Sequence, residues 1–327
     1  MPISFLMKNH LEFINKQELI KFLLSEGRDD YMVIDEKVKS HLPLEILSSK
    51  KIFWLQNPEE QKIRETYFAI LDQFLDSGFT RADRILGIGG GATTDLAGFV
   101  ASTILRGVEW ISVPTTLLGM VDGAIGGKVG INTKHGKNQI GSFHLPKKVL
   151  ISTDFLETLN EEEILSGKGE ILKYCFLDTE IFESVINKAP MELVIKQCAE
   201  YKKKIVESDF KESNLRMILN FGHTIGHCYE RILKISHGMA VIHGIKAILV
   251  MFDLNERLND FETLLVKLNI QIQRDLVVDR SDLEAYLLHD KKRRHSITQV
   301  IVTKDIGNPE IISLEQEDLS KKIGRLF

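Results

Sequence analysis

The feature that most restricts the fold is a regular exchange of short apolar runs with helical patterns across the first half of the chain. Tyr31-Met32-Val33-Ile34, Lys51-Ile52-Phe53-Trp54-Leu55, Arg84-Ile85-Leu86-Gly87-Ile88 and Trp110-Ile111-Ser112-Val113 have the length and composition of strands. Between Glu59 and Ser77, residues Ile63, Tyr67, Ile70, Leu71 and Phe74 recur at helical spacing, and Thr94 to Thr103 reads as the next helix. This alternation predicts a parallel sheet with helices on its faces, because parallel neighbours need a crossover long enough to hold a helix. After about Leu150-Ile151-Ser152 the pattern turns to long charged helices, Met191 to Asp209 and His243 to Leu258. Only Gln299-Val300-Ile301-Val302 then reads as a strand. The expected fold class is therefore α/β, with an N-terminal parallel-sheet domain over residues 1–155 and a mainly α-helical C-terminal domain over 156–327. With seven prolines and no Ser/Gly linker, the two are expected to abut directly.

Charge and cysteine usage narrow the function classes. A formal net charge of −4 gives no electrostatic footprint for nucleic acid. The basic runs Lys202-Lys203-Lys204 and Lys291-Lys292-Arg293-Arg294 sit among acidic residues and suit a small anion better than a polyanion. Three cysteines, Cys175, Cys198 and Cys228, without C-x-x-C spacing read as reduced thiols of a cytoplasmic protein. The N-terminal apolar run is too short for a signal peptide, and the longest apolar stretch, Ala240 to Phe252, is broken by His243, Gly244 and Lys246. No membrane association is expected.

Four segments carry chemistry. Leu86-Gly87-Ile88-Gly89-Gly90-Gly91-Ala92-Thr93-Thr94-Asp95 is a strand, a glycine turn and a helix start, the arrangement that offers free N–H groups to a pyrophosphate. A tight turn needing only glycine's freedom is the alternative, and the absence of a following lysine argues against a nucleoside-triphosphate loop. Val121-Asp122 through Gly126-Gly127-Lys128, then Gly136-Lys137-Asn138, reads as a loop closing over phosphate and hydroxyls. In Gly169-Glu170-Ile171-Leu172-Lys173-Tyr174 the Glu and Lys are three apart, most often a solvated pair. Finally, Lys202 and Arg216 precede Asn220-Phe221-Gly222-His223-Thr224-Ile225-Gly226-His227, with Ser236-His237-Gly238 beyond. Helical spacing alone favours His223 and His227 as two ligands on one face, or as one ligand with a proton carrier.

In this order, the motifs resemble the 3-dehydroquinate synthase family, the sugar-phosphate cyclases. The matching residues are Gly89-Gly90-Gly91 to Asp95-Leu96-Ala97-Gly98-Phe99, Pro114-Thr115-Thr116-Leu117-Leu118, Val121-Asp122 with Gly126-Gly127-Lys128, and Gly136-Lys137-Asn138. They continue with Glu170 to Tyr174, Leu219 to His227, His237-Gly238 with Ala240-Val241, and Asp290-Lys291-Lys292. The resemblance implies a Rossmann-like NAD-binding domain and a helical metal-binding domain holding Zn2+ or Co2+ through Glu170, His223 and His237. It moves His227 from the metal to the substrate phosphate, beside Lys128, Asn138 and Lys291 or its neighbour Lys292. Lys202 and Arg216 are implied at the substrate carboxylate, and Asp122, Lys173 and Asn220 at the ring hydroxyls. The implied NAD contacts are Asp35, Glu59, Lys62, Gly90, Gly91, Asp95, Thr115, Thr116, Lys128, Lys137 and Thr158, whereas the fingerprint spacing alone nominates Glu109.

The implied reaction converts the sugar acid phosphate DAHP (3-deoxy-D-arabino-heptulosonate 7-phosphate) to 3-dehydroquinate and phosphate. It runs through transient oxidation at C5, elimination, re-reduction and intramolecular aldol closure. The family is typically a homodimer, and Arg106 is the residue implied to reach a partner's site. Three positions depart from the family pattern. Met239 stands where Glu commonly follows His-Gly, Gly123-Ala124 replace paired serines, and Val129 replaces a threonine. Another sugar-phosphate cyclase acting on a non-carboxylated C7 sugar phosphate, a metal-dependent polyol dehydrogenase and an NAD-binding pseudoenzyme are the competing expectations.

Overall fold

The computed structural model describes residues 10–25, 30–48, 51–272, 276, 278–288 and 297–327. The chain divides into two compact units: Met1–Asn160 with Lys202–Lys211, and Glu161–Tyr201 with Glu212–Phe327. The expected division at residue 155 thus lies a few residues before the observed one, and the end of the Met191–Ser208 helix groups with the first unit.

The first unit is built on a six-stranded sheet. Its strands are β1 (Leu11–Phe13), β2 (Asp30–Asp35), β3 (Ile52–Leu55), β4 (Arg84–Gly89), β5 (Trp110–Pro114) and β8 (Lys148–Ile151), in the order β1-β8-β5-β4-β2-β3. Every pairing is parallel. The four runs predicted as strands are β2 to β5. β1 was not predicted; its Leu-Glu-Phe is too short to register as a pattern and is held by its pairing with β8. The strands are apolar almost throughout, as strands covered on both faces must be. Val33, Leu55, Ile85, Ile70, Phe74, Leu96, Val100 and Trp110 form a continuous core between the sheet and the helices Arg64–Asp76 and Gly91–Thr103.

Two predicted segments differ. The helix expected from Glu59 to Ser77 is split into Pro58–Gln61 and Arg64–Asp76, because Lys62 leaves helical geometry (φ −75°, ψ 58°). The loop expected over residues 121–128 and 136–138 runs instead into an antiparallel hairpin, β6 (Lys128–Thr133) with β7 (Gly136–Phe143). Every residue of β7 is exposed, so its sequence carries no burial pattern to read.

The second unit is mainly helical. It contains Glu161–Leu177, Thr179–Ile186, the start of Met191–Ser208, His223–Leu233, His237–Met251, Asn255–Lys267, Arg280–Leu288 and Gln316–Ile323. The helix expected from His243 to Leu258 is instead two. The first stops at Met251, Asp253 takes a left-handed conformation (φ 56°), and the next starts at Asn255. The single strand expected at Gln299–Val302 is β9 (Ile297–Asp305), and it pairs with an unpredicted β10 (Asn308–Glu315) across a turn at Gly307 (φ 81°). Turn glycine between two runs was the signal; Pro309 and Glu310 obscured the second run. No helix among the described residues is long and apolar enough to cross a membrane.

Candidate active site

The sheet order reverses direction between β2 and β4, since β3 lies outside β2 while β5 lies beyond β4. Open parallel sheets bind ligands outside the carboxyl ends of their strands at such a point. Asp35 ends β2, and Gly89-Gly90-Gly91 leads from β4 into the Gly91–Thr103 helix. A Cβ built on Gly89 would sit 2.9 Å from Asp35 Cβ, so these two strand ends touch only because Gly89 has no side chain. Gly90 caps that helix without a side-chain acceptor, and a Cβ on Gly91 would meet nothing within 4 Å. The first-turn N–H groups, left without a side-chain cap at the positive end of a helix dipole, suit a pyrophosphate.

The other nucleotide contacts expected from the sequence fall near the same strand ends or on the hairpin. Lys62 is 3% exposed, and its Nζ donates to Asp95 Oδ2 at 3.0 Å and Asn138 Oδ1 at 2.7 Å. Burial raises the Asp95 carboxyl and the Lys62 ammonium opposes that rise. Thr115 N–H donates to Gly89 O at 2.9 Å, and Thr116 Cγ2 is 3.1 Å from where a Gly90 Cβ would lie. Thr158 Oγ1 is 2.8 Å from His41 Nε2, a partner the sequence did not single out. Glu59, Lys128 and Lys137 are exposed. Asn132, also not singled out, ties several of these together: its N–H donates to Lys62 O (2.7 Å), its Nδ2 to Glu59 Oε1 (2.9 Å), and its Oδ1 accepts from Asn138 N–H (3.0 Å). Glu109 precedes β5, at the opposite end of that strand from Thr115, and pairs with Lys147 at 2.6 Å. Lys202 Nζ donates to both the backbone carbonyl and Oδ2 of Asp122, each at 2.7 Å.

In the second unit three helices bring one carboxylate and two imidazoles together. Glu170 lies midway along Glu161–Leu177, while His223 and His237 each open a helix. Their close approach depends on glycine. A Cβ at Gly169 would stand 2.6 Å from Gly238 O, and one at Gly238 would stand 2.3 Å from Ser166 Cα. Gly222, at φ 77°, turns the chain into the His223 helix. Glu170 Oε1 is 3.2 Å from His223 Nε2 and 3.1 Å from His237 Nε2, and one ligand atom from each of the three lies within 4.8 Å of the others.

The hydrogen bonds behind the rings decide what this cluster can do. His223 Nδ1 is 3.1 Å from Phe221 O, and His237 Nδ1 is 3.1 Å from Glu230 Oε2. Carbonyl and carboxylate oxygens only accept, so both Nδ1 atoms carry the proton and, in the neutral rings, both Nε2 lone pairs point at Glu170. Lone pairs converging on an anionic oxygen repel unless a cation lies among them. Glu170 is 1% exposed, and the Lys173 ammonium lies against its Oε2 as an ion pair. Burial pushes the Glu170 carboxyl up, but Lys173 and the imidazoles outweigh it and hold it well below the usual range. Without a metal, a proton performs the same service at His237: burial lowers its pKa, yet hydrogen bonds to Glu170 and Glu230 raise it to about 9. The donor set, two imidazoles and one carboxylate with open positions left over, fits a divalent zinc or cobalt ion.

The sequence-favoured pairing of His223 with His227 is not the convergence found. Their rings are 5.3 Å apart, but His227 groups with Glu230 and His237 rather than with Glu170. Enclosure by the protein, then the neighbouring His223 and His237, lower His227 to about 4, so it is neutral at physiological pH; water at its exposed edge moderates the shift. Arg216 is buried and Asn220 Nδ2 donates to Glu212 Oε1 at 3.0 Å. Lys291, with Asp290 and Lys292, lies outside the described residues. Glu230 was missed, although its place seven residues after His223 and three after His227 puts it on their helix face.

Comparison with known proteins places this geometry in a class. Over 98% of the chain and 96% of its own length, 2-epi-5-epi-valiolone synthase from Streptomyces hygroscopicus subsp. jinggangensis, solved with NAD+ and Zn2+ bound, superposes with a TM-score of 0.82 at 22% identity. A 2-deoxy-scyllo-inosose synthase solved with carbaglucose-6-phosphate, NAD+ and Co2+ gives 0.78 at 23% identity, over 96% of this chain and 95% of that one. The chain thus has the fold of the sugar-phosphate cyclases, a Rossmann-like parallel-sheet unit and a mainly helical one. Residues 52–166 match the 3-dehydroquinate synthase N-terminal model and residues 167–293 the C-terminal model. A 3-dehydroquinate synthase from Pelagibacter ubique is 36% identical over 92% of this chain and 89% of its own. The chain belongs to the 3-dehydroquinate synthase family.

Proposed function

We propose that this protein is a 3-dehydroquinate synthase, a carbon–oxygen lyase that converts DAHP to 3-dehydroquinate and inorganic phosphate. What carries the reading is family membership over residues 52–293 combined with the convergence of Glu170, His223 and His237 on one point. When bound, NAD supplies a reversible hydride acceptor and a divalent zinc or cobalt ion polarises the hydroxyl being oxidised. The residues assigned to NAD are Asp35, Glu59, Lys62, Gly90, Gly91, Asp95, Thr115, Thr116, Lys128, Lys137 and Thr158, supported by the free helix N-terminus at the sheet's switch point. Glu170, His223 and His237 are assigned to the metal.

The chain's own side chains bind and orient. Lys202 and Arg216 are assigned to the substrate carboxylate, a role supported by their burial, which strengthens a charge-assisted contact. Asp122, Lys173 and Asn220 orient ring hydroxyls, with Lys173 also holding Glu170 ionised. Lys128, Asn138, His227 and Lys291 are assigned to the phosphate; His227, neutral at physiological pH, donates one hydrogen bond without adding charge. Arg106 is assigned to a partner subunit of a homodimer, supported by its exposure at the end of a turn where Leu105 (φ 47°) and Arg106 (φ 71°) are both left-handed. The three buried cysteine thiols support a reducing, cytoplasmic setting.

The deciding experiment incubates purified protein with NAD, Zn2+ or Co2+ and DAHP, with and without chelator, and follows phosphate and dehydroquinate. Both products are expected, in equal amounts and only with metal. Their absence from metal-replete protein overturns the assignment. Net accumulation of NADH would assign the chain to the dehydrogenases instead. Turnover of a neutral C7 sugar phosphate in preference to DAHP would point to another cyclase, the alternative raised by Gly123, Ala124, Val129 and Met239.

A further inference from the structure

The two imidazoles that face Glu170 are braced from behind by different acceptors. His223 Nδ1 bonds the backbone carbonyl of Phe221, an acceptor that no substitution removes. His237 Nδ1 bonds a side chain, Glu230 Oε2, at 3.1 Å. Glu230 sits on the same helix as His223, so the element that supplies one imidazole also supplies the brace for the other. The position after His237-Gly238 is Met239, and a thioether is a poor acceptor for an imidazole N–H.

We propose that Glu230 is the positioning residue of the metal centre: its carboxylate fixes the tautomer and ring orientation of His237 and thereby sets the affinity of the Glu170–His223–His237 triad for its cation. The inference rests on the reading above that these three residues hold a divalent ion. A hydrogen bond from Nδ1–H to an anion makes Nε2 a stronger donor and prevents the ring from flipping its ligating nitrogen away. Charge balance favours the same arrangement. With Lys173 already paired to Glu170, one carboxylate and two neutral imidazoles leave positive charge in excess around a divalent ion, and a second carboxylate one imidazole away offsets part of it in a buried site.

The test is a Co2+ titration of chelator-stripped, full-length protein, followed by the cobalt absorption band and by competition with a chromophoric chelator. The parent is compared with Glu230→Gln, which keeps the size and loses the charge, and with Glu230→Asp, which keeps the charge and shortens the reach. Glu230→Gln is expected to weaken Co2+ binding by roughly 10–100-fold and to alter the band, while NAD affinity stays unchanged. Glu230→Asp is expected to recover part of the affinity. A folded Glu230→Gln that binds Co2+ within twofold of the parent overturns the inference. So does a fall in metal-free melting temperature with an unaltered band, which is what a merely structural residue would give. Should Glu230→Gln fail to fold, Glu230→Asp decides: parental affinity and an identical band overturn the inference. A parent that takes up no Co2+ overturns the metal-centre reading itself, and the inference with it.

Discussion

Replacing Gly169 by alanine tests the idea that helix proximity, rather than side-chain length, creates the Glu170–His237 contact. The new Cβ would lie 2.6 Å from Gly238 O, 2.9 Å from Gly238 Cα and 3.0 Å from Gly238 C. All three are backbone atoms, so no side chain can rotate out of the way. Bringing the closest contact from 2.6 Å to 3.0 Å needs a helix displacement of at least about 0.4 Å, and metal–ligand distances tolerate only about 0.2 Å. Because Glu170 follows Gly169 and His237 precedes Gly238, the displacement separates the two ligand atoms now 3.1 Å apart. Overpacking of this kind costs about 1–3 kcal/mol. The expected outcome is Co2+ or Zn2+ affinity lower by roughly tenfold or more, since 1.4 kcal/mol is one decade, with NAD affinity intact. Urea unfolding and a cobalt titration measure the two effects. Gly91→Ala is the matched control: its Cβ meets nothing within 4 Å, so it should leave metal affinity unchanged while weakening NAD. Parental metal affinity and unfolding midpoint in Gly169→Ala would refute the reasoning.

Other consequences follow from buried charges and from metal linkage. His243 is lowered to about 4, by burial first and then by Lys246, so its neutral form stabilises the fold fully above its unfolded value of 6.5, and that contribution is lost as pH falls from 6.5 towards 4. The unfolding midpoint of the parent should drop across that window, and the drop should be shallower in His243→Leu; equal slopes would exclude His243 as the cause. Lys62→Met leaves the part-buried Asp95 carboxylate beside an apolar chain and should cost less than the about 3–5 kcal/mol of a fully buried pair, whereas the pair Lys62→Met/Asp95→Asn should recover much of it in a double-mutant cycle. Strictly additive losses would show that the ion pair is not coupled. Removing metal with chelator should lower the melting temperature, and restoring free metal to 1,000 times its dissociation constant should return about 4 kcal/mol; a melting temperature indifferent to metal would speak against the triad as its site.

The strands β2 to β5 were legible because each is buried on both faces and so reads as an uninterrupted apolar run. The glycine turn after β4 was legible for a related reason, since a strand-to-helix turn over an anion requires residues without Cβ at Gly90 and Gly91. The hairpin β6–β7 was read as a loop because its outer strand faces water throughout and leaves no alternation to detect. The break was missed because apolar spacing continues across it; the first helix stops at Met251 and the chain turns through a left-handed Asp253 before the next begins.

Chemical identity at the site was written in the chain: which residues are carboxylates, imidazoles and ammonium groups, and that glycines adjoin Glu170, His223 and His237. Which of them meet was decided by the fold. Local spacing offered His223 with His227, since a sequence displays only neighbours along one helix, and a pairing across helices depends on how closely their backbones pack. Gly169 against Gly238 set that distance, placing His237 opposite Glu170 and putting Glu230 behind it. Proximity in space comes from packing, and packing has no one-dimensional signature.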